Sequence, residues 1–197
     1  MGKNKKSKIK IFDKNQNQDI EIDSVEEWCF YNWVLELYDL GVVKEYIYQP
    51  DSFKLVDDKK YVPLYDNPKG KERSLLRSHE YTADFKVKFD KAYGELLAGY
   101  FKIDSGMVQG DEIIIWIDVK GIFQRNGGDR AFSINQKLVY DKFGIYVQKT
   151  VPRDLFSVLG VPRRCLKGPG GRPSKIYISC NLVESVFSNK NDELPIR

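Results

Sequence analysis

The chain has few of the residues that build histidine sites and disulfide frameworks. Its 197 residues include one histidine, His79, and three widely spaced cysteines, Cys29, Cys165 and Cys180. One histidine excludes a multi-histidine metal site and argues against a histidine-based catalytic triad. The cysteine spacing fits neither a disulfide framework nor a zinc site. We therefore expect a protein of the reducing cytoplasm whose chemistry uses other residue types.

Long apolar runs and a large charge of one sign are also missing. No segment reaches the roughly 20 apolar residues of a membrane span, and the basic N-terminus lacks the apolar segment of a secretory signal. We therefore expect no membrane partner. The formal net charge is only +4, so a nucleic-acid partner must be inferred from where the cations lie. The content of 42% hydrophobic and 13% aromatic residues favours a folded chain.

Two aspartates in strand-like runs are the most informative feature that is present. Asp84 lies in the run Tyr81–Val87, and Asp118 lies in the run Ile113–Gly121. Residues two apart in a strand point to the same face, so Asp118 and Lys120 share a face. If the strand of Asp84 is adjacent, two carboxylates and one ammonium converge.

This combination predicts metal-dependent hydrolysis. Two carboxylates bind a hard divalent cation such as Mg²⁺, for which Mn²⁺ can substitute. A metal-bound water is acidified, and a lysine beside the metal can orient or deprotonate that water. Asp84, Asp118 and Lys120 are the minimum equipment for hydrolysing a phosphodiester bond, although Asp-x-Lys alone is a weak signal.

The order of these residues resembles the signature of the PD-(D/E)XK nuclease superfamily. The pieces that match are the acidic helix start Asp23–Trp28, Gln49-Pro50, the Tyr-x-Ala-Asp-Phe run from Tyr81 to Phe85, Asp-Val-Lys-Gly from Asp118 to Gly121, and the RecB-like QxxxY pattern of Gln136 and Tyr140. The set is similar to a family of small phage-type endonucleases long catalogued as a domain of unknown function. The chain departs from it at Ala83, where proline is common, and in a longer stretch before Asp118.

The resemblance implies an α/β fold with a restriction-endonuclease-like core, in which a small mixed β-sheet is flanked by helices. Residues 1–19 are then a basic tail and first strand, residues 20–150 the nuclease core, and residues 151–197 a basic extension that contains glycine and proline. The implied activity is that of a Mg²⁺-dependent endodeoxyribonuclease, phage-encoded and acting in the host cytoplasm.

The resemblance also assigns roles to single residues. Metal binding falls to Glu27, Asp84, Asp118 and the backbone carbonyl of Val119. Lys120 orients the attacking water, and Gln136 and Tyr140 position the DNA.

Alternatives stay open for several of these residues. Ser24-x-x-Glu27 fits a capping box, so Glu27 could have a purely structural role, and Glu26 is the other candidate to face the metal. Gln136 and Tyr140 lie four residues apart on one helix face, which equally fits the packing of that helix.

Cations that would contact DNA are predicted in two regions. After the catalytic lysine they are Arg125, Arg130 and Lys137, and in the extension they are Arg153, Arg163, Arg164, Lys167, Arg172 and Lys175. Gly171-Arg172-Pro173 resembles the core of an AT-hook, which inserts arginine into the minor groove, but Gly170 replaces the arginine expected before it. The same residues also fit a basic loop on the phosphate backbone or a solvated loop.

Periodicity and turn residues predict the local structure. The predicted helices cover 24–40 and 131–143. The predicted strands cover 42–48, 52–56, 80–89, 112–121, 144–149 and 176–186, with a short strand pair within 9–22. Residues 63–78, 124–130 and 152–175 are predicted as loops, and residues 91–111 as an insertion without clear periodicity.

Two other functions stay open beside a general endonuclease. One is a branched-DNA resolvase, which would be a homodimer because two opposed cuts need two sites. The other is a nuclease-fold protein that binds DNA without cutting it. The sequence does not separate DNA from RNA as the substrate.

Overall fold

A computed structural model describes residues 8–13, 17–63, 69–121, 128–171 and 179–188. The strands are β1 (Ile9–Asp13), β2 (Gln18–Ile22), β3 (Val43–Tyr48), β4 (Phe53–Val56), β5 (Lys59–Tyr61), β6 (Arg73–Leu76), β7 (His79–Tyr81), β8 (Phe85–Asp90), β9 (Val108–Gln109), β10 (Glu112–Val119) and β11 (Val147–Thr150). The α-helices are α1 (Val25–Asp39), α2 (Gly94–Ala98), α3 (Gly128–Phe143), α4 (Pro152–Leu159) and α5 (Val183–Ser188). Short 3-10 helices cover Lys91–Tyr93, Ser105–Met107 and Arg163–Leu166.

The central sheet has the strand order β11-β10-β8-β3, and β9 also pairs with β10. β3, β8 and β10 are antiparallel neighbours, whereas β11 runs parallel to β10. A parallel neighbour needs a long crossover connection, which α3 provides between these two strands. The protein is therefore a mixed α/β fold with a largely antiparallel sheet flanked by helices, and this part of the predicted fold is confirmed.

The two faces of β10 pack against different helices. Ile113, Ile115 and Ile117 belong to the larger hydrophobic core, which includes the buried face of α1. Trp116 packs against the smaller core, which contains Phe132 and other residues of α3. Because the side chains of a strand alternate, Asp118 emerges on the face of Trp116, which is the α3 side of the sheet.

The helix α1 begins and ends at the residues that the sequence predicts. The hydroxyl of Ser24 caps its start by accepting the backbone N–H of Glu27 at 3.1 Å. Gly41 follows its end with a φ of +75°, a conformation that glycine adopts without steric cost. The predicted strand pair within 9–22 is also confirmed, as the antiparallel pair β1–β2.

The prediction of a loop over 152–175 is wrong for most of its described part. Leu155, Phe156 and Leu159 recur at helical spacing and are fully buried in the larger core, so residues 152–159 form α4. Within the stretch predicted as a final strand, Val183 begins α5, which buries Val183 and Phe187 on one side. The arginines and glycines of this region obscured a short apolar periodicity that packs against α1.

Other predicted boundaries also differ from the structure. Residues 73–76, predicted as loop, form β6, which pairs with β5 without burying either strand. The predicted strand 80–89 divides into β7 and β8, because the chain leaves one strand pair and joins another at residues 82–84. α3 starts at Gly128, so Arg130 is helical rather than part of a loop. The insertion over 91–111 contains α2 and β9.

The cysteines and the helix lengths add two observations. All three cysteines are free thiols, and the buried Cys165 thiol donates to the Cys29 carbonyl at 3.5 Å. Among the helices in the described ranges, none combines the length and the apolar character that crossing a bilayer requires.

Candidate active site

Asp84 and Asp118 meet where two neighbouring strands end. Phe85 is paired with Ile117 in the antiparallel register of β8 and β10, so the residues next to this pair, Asp84 and Asp118, lie opposite each other. The backbone N–H of Val119 donates to Asp84 Oδ2 at 2.6 Å, which fixes the first carboxylate against the second strand. Asp84 directly precedes β8, and Asp118 lies in the neighbouring strand β10, so the condition for the two carboxylates to converge is met.

Lys120 is held directly against Asp118. Its ammonium forms an ion pair with Asp118 Oδ1, and Asp118 is only 4% exposed. The same ammonium lies 5.9 Å from the ring centroid of Phe132 on α3. The backbone N–H of Lys120 donates to the carbonyl of Thr150, so the chain beyond β10 still follows β11. The predicted shared face of Asp118 and Lys120 is confirmed.

Glu27 is both a helix-cap residue and a member of this cluster. Its carboxylate accepts the Ser24 hydroxyl at 2.7 Å through Oε1 and the Tyr48 phenol at 2.8 Å through Oε2. Glu27 is buried, and its charge acts on Asp84. Glu26 is half-buried and lies against the chain after Lys120, since a Cβ added to Gly121 would stand 3.0 Å from Glu26 Oε1. Both glutamates therefore border the site, and Glu27 is the one enclosed in it.

The cluster carries an excess of negative charge. The pKa of Asp84 is raised to about 8, first by burial and then by the charges of Asp118 and Glu27. The Lys120 ammonium and the hydrogen bond from the Val119 N–H lower this pKa in part. A divalent cation between the carboxylates would remove the repulsion that raises this pKa.

Two tyrosines hold the carboxylates from outside. The Tyr81 phenol donates to Asp118 Oδ2 at 2.6 Å, and the Tyr48 phenol donates to Glu27. Burial, followed by the neighbouring carboxylate, raises the pKa of each phenol, so both remain protonated donors. Neither tyrosine has a role that the sequence motifs predict. Their positions in the sequence could have indicated a role, because Tyr81 opens the run that contains Asp84 and Tyr48 precedes Gln49-Pro50.

The side chains of the cluster supply only some of the ligands of a magnesium ion. In the ranges that the structure describes, no three histidine, cysteine, aspartate or glutamate side chains form a group that could hold a metal ion. Two carboxylates are nevertheless in place, and Asp118 Oδ1 accepts no hydrogen bond besides its ion pair with Lys120. Magnesium commonly keeps several waters and takes one or two protein carboxylates. The carboxylates of Asp84 and Asp118 match that demand.

Gln136 and Tyr140 lie farther along α3. The Gln136 amide donates to the carbonyl of Val147, which ties α3 to β11. Tyr140 is 56% exposed. Both line a cavity of about 900 Å³ with Lys137, and its lining contains none of the clustered carboxylates. Tyr140 is eight residues beyond Phe132, which corresponds to about 12 Å along a helix. The structure therefore places them beside the cluster rather than in it.

The predicted DNA-binding cations are dispersed. Arg130, Lys137, Arg153, Arg163, Arg164 and Lys167 are exposed. Arg125, Arg172 and Lys175 lie outside the described residues, as does the AT-hook-like core from residue 172 onwards. The guanidinium of Arg163 forms an ion pair with Glu184, and its backbone N–H donates to Glu36 at 2.9 Å. Glu36 is nine residues beyond Glu27 on α1, or about 13–14 Å along the helix, so Arg163 lies away from the carboxylate cluster.

Comparisons with known proteins give no indication of what this chain does. No protein-family profile, curated protein or solved structure matches this sequence or its fold. The likeness to the nuclease superfamily therefore rests on the motifs and on the arrangement of the residues that carry them.

Proposed function

We propose that this chain is a metal-dependent endonuclease that hydrolyses DNA phosphodiester bonds. The observation that carries the proposal is the convergence of Asp84 and Asp118 from neighbouring strands, with the Lys120 ammonium against Asp118. Three residues that the chemistry needs, two aspartates and one lysine, thus lie together at the ends of neighbouring strands. The excess negative charge around Asp84 supports a cation as the ligand.

The order of the elements supports the same proposal at the level of the fold. α1 leads into the antiparallel strands β3, β8 and β10, and α3 then crosses over to the parallel strand β11. We regard this helix, three-strand meander, helix and parallel strand as a restriction-endonuclease-like core. The ribbon β4–β7 and the segment after residue 150 are additions to it.

Each residue has a defined task in this reaction. Asp84, Asp118 and the Val119 carbonyl would hold Mg²⁺, with Glu27 beside them. When bound, the ion would supply Lewis-acid polarisation of the phosphate and a water of lowered pKa. Lys120 donates from its ammonium to the attacking water and orients it. Tyr81 and Tyr48 keep Asp118 and Glu27 in fixed rotamers, which holds the donor atoms in place.

Cleavage of supercoiled plasmid tests the proposal. Purified protein is incubated with Mg²⁺, with Mn²⁺ or with EDTA, and Asp118→Asn and Lys120→Met are run beside it. Asp111→Asn, a change at an exposed turn, is the matched control. We expect metal-dependent cleavage that both site variants lose by about a thousandfold, the upper range for a group that stabilises transition-state charge, and that Asp111→Asn retains.

Two results would redirect the proposal. A folded wild-type protein that binds DNA but never cuts it would be a DNA-binding protein with a nuclease-like fold. Preference for a synthetic four-way junction, together with a homodimer in solution, would make it a resolvase. RNA run beside DNA in the same assay decides the substrate. The cytoplasmic location remains a prediction from the sequence.

A further inference from the structure

A cavity of about 900 Å³ lies along α3, separate from the carboxylates of the candidate active site. One wall is the outer half of α3, and the other wall is Lys102–Asp104, between α2 and β9. Tyr146, which directly precedes β11, also lines the cavity. We call this cavity the α3 groove.

Both walls of the α3 groove are fixed to β11. On one side, the Gln136 amide of α3 donates to the carbonyl of Val147. On the other side, the Gln148 side chain accepts the backbone N–H of Lys102 at 2.8 Å and donates to the Lys102 carbonyl at 2.9 Å. The groove is therefore built before a ligand arrives, which lowers the conformational cost of binding.

The same strand places the groove relative to the candidate active site. The carbonyl of Thr150, at the end of β11, accepts the backbone N–H of Lys120 at 2.8 Å. Gln148 is two residues before Thr150, or about 7 Å along the strand. Gln136 is four residues beyond Phe132, the ring beside the Lys120 ammonium, or about 6 Å along α3. A DNA strand that follows α3 away from Lys120 thus reaches the groove after about two nucleotides, at 3.4 Å each.

Two tyrosines line the α3 groove. Tyr140 is 56% exposed, and Tyr146 is half-buried. Unpaired bases of any type stack on aromatic side chains, because every base has a π-face. The volume of the groove is that of a small-molecule site. It therefore admits unpaired nucleotides, whereas both strands of a duplex do not fit into it.

Charged side chains lie on both walls. Asp104 accepts the backbone N–H of Gly106 at 2.8 Å, so its carboxylate is held by its own turn. On α3, Lys137 and Asp141 are one helical turn apart and offset each other's charge. Lys102, on the opposite wall, is exposed and is the cation best placed for a phosphate group.

We infer that the α3 groove binds an unpaired stretch of the DNA strand that is cut, with bases against Tyr140 and Tyr146 and a phosphate at Lys102. The inference rests on the proposed nuclease function and adds the substrate class, DNA with a single-stranded part rather than a fully paired duplex. Supercoiled plasmid belongs to this class, because negative supercoiling favours local strand separation.

Binding measurements on a cleavage-inactive protein test the groove by itself. The full chain carrying Asp118→Asn is titrated in EDTA with a fluorescein-labelled single strand of about 16 nucleotides, the upper site size of a single-strand-binding fold. The same strand annealed to its complement is the duplex, and anisotropy at several KCl concentrations gives each Kd. Tyr140→Leu and Lys102→Ala are made in this background. Their matched controls are Tyr38→Leu on α1 and Lys91→Ala after β8, both at exposed positions outside the groove.

We expect the parent to bind the single strand more tightly than the duplex. Tyr140→Leu should weaken single-strand binding by about fivefold or more, the lower range for one stacked base, and leave duplex binding unchanged. Lys102→Ala should reduce the slope of log Kd against log salt by about 0.7, the value for one phosphate contact on a single strand. Both controls should keep the Kd and the slope of the parent. Thermal melting confirms that the variants fold, which is expected at exposed positions.

Other outcomes overturn the inference in distinguishable ways. Tighter binding of the duplex by the parent would give the enzyme a paired substrate. A loss in Tyr140→Leu that is equal for both forms of DNA, or equal to that in Tyr38→Leu, would remove base stacking in the groove. Equal slopes for Lys102→Ala and Lys91→Ala would mean that net charge attracts the DNA. Each result removes the groove and leaves the nuclease intact, because plasmid cleavage is measured separately. If the parent neither binds nor cleaves DNA, the proposed function falls as well.

Discussion

Two glutamates on the same helix stand in opposite electrostatic surroundings. Glu27, at the start of α1, lies among carboxylates, and its charge helps to raise the pKa of Asp84. Glu36, near the end of α1, accepts the backbone N–H of Arg163, whose guanidinium also pairs with Glu184. The pKa of Glu36 is also raised, first by burial; the hydrogen bond from the Arg163 N–H opposes this rise, and the charge of Glu184 adds to it. Glu36 is half-buried with Arg163 beside it, whereas Glu27 is buried and acts on Asp84 together with Asp118.

This difference is one reason why we propose a cation site beside Glu27 and not beside Glu36. Around Asp84 the structure places the charges of Asp118 and Glu27 against that of Lys120, so the described neighbourhood keeps a net negative charge. A folded protein gains nothing in stability from buried like charges. The proposed cation would relieve this repulsion.

The comparison is tested most strongly by neutralising each glutamate in turn. We expect Glu27→Gln to reduce metal-dependent cleavage by about a hundredfold, the upper range for outer groups that tune a metal site. Glu36→Gln should leave cleavage within about twofold of the parent, since Glu36 lies about 13–14 Å farther along α1. Initial rates on plasmid at saturating Mg²⁺ give the answer.

The Glu27→Gln variant should preserve the cap at the start of α1, which makes the comparison with Glu36→Gln a fair one. Glutamine at position 27 retains an oxygen that can accept the Ser24 hydroxyl, so α1 should remain capped. Equal loss of activity in both variants would show that α1 as a whole, and not the carboxylate cluster, limits the reaction. If Glu27→Gln retains full activity, Glu26 and not Glu27 is the glutamate that faces the metal, which is the alternative that the sequence left open.

Removing the phenol hydroxyl of Tyr81 should have a smaller effect on metal-dependent cleavage. Tyr81→Phe removes the donor to Asp118 Oδ2 and should raise the Mg²⁺ concentration for half-maximal cleavage by about tenfold, in the range for a lost outer-shell hydrogen bond. Tyr46→Phe is the matched control, because the Tyr46 phenol donates to the buried Asp13 at 3.0 Å in a separate network. A Mg²⁺ requirement that shifts equally in both variants would assign Tyr81 a general packing role.

The sequence predicted the cluster better than its surroundings. Asp84, Asp118 and Lys120 follow from strand alternation and a short motif, which are local properties, and the structure brings them together. Tyr81 could not be assigned in this way, because its contact with Asp118 spans 37 positions and depends on how the chain bends between β7 and β8. The Gln136 hydrogen bond to Val147 likewise depends on how α3 packs on the sheet.

The C-terminal errors have a different physical origin. Arginines, glycines and prolines make up 12 of the 24 residues from 152 to 175, and they favour a loop when read locally. Leu155, Phe156 and Leu159 outweigh them because each buries its side chain completely in the core that α1 also faces. Burial of this kind is a tertiary effect, and a full aliphatic or aromatic side chain contributes about 1.5–3 kcal/mol.

The pH dependence of stability gives the mildest test of the comparison. An unfolded aspartate has a pKa near 3.9, whereas the pKa of Asp84 is raised to about 8 in the folded, metal-free protein. Between these values the folded state binds the extra proton, so stability falls as pH rises. We expect Asp84→Asn to remove this slope and to melt a few degrees above the parent at pH 8, with little difference near pH 4.

Glu36→Gln should flatten the curve less, because Arg163 already favours the ionised form there. Adding Mg²⁺ should stabilise the parent at pH 8 and not Asp84→Asn, because an ion that binds only the folded state raises its stability by mass action. Melting curves for the three proteins with EDTA and with Mg²⁺ measure this, and a parent curve that rises from pH 5 to 8 in EDTA would contradict the charge excess on which the site is argued.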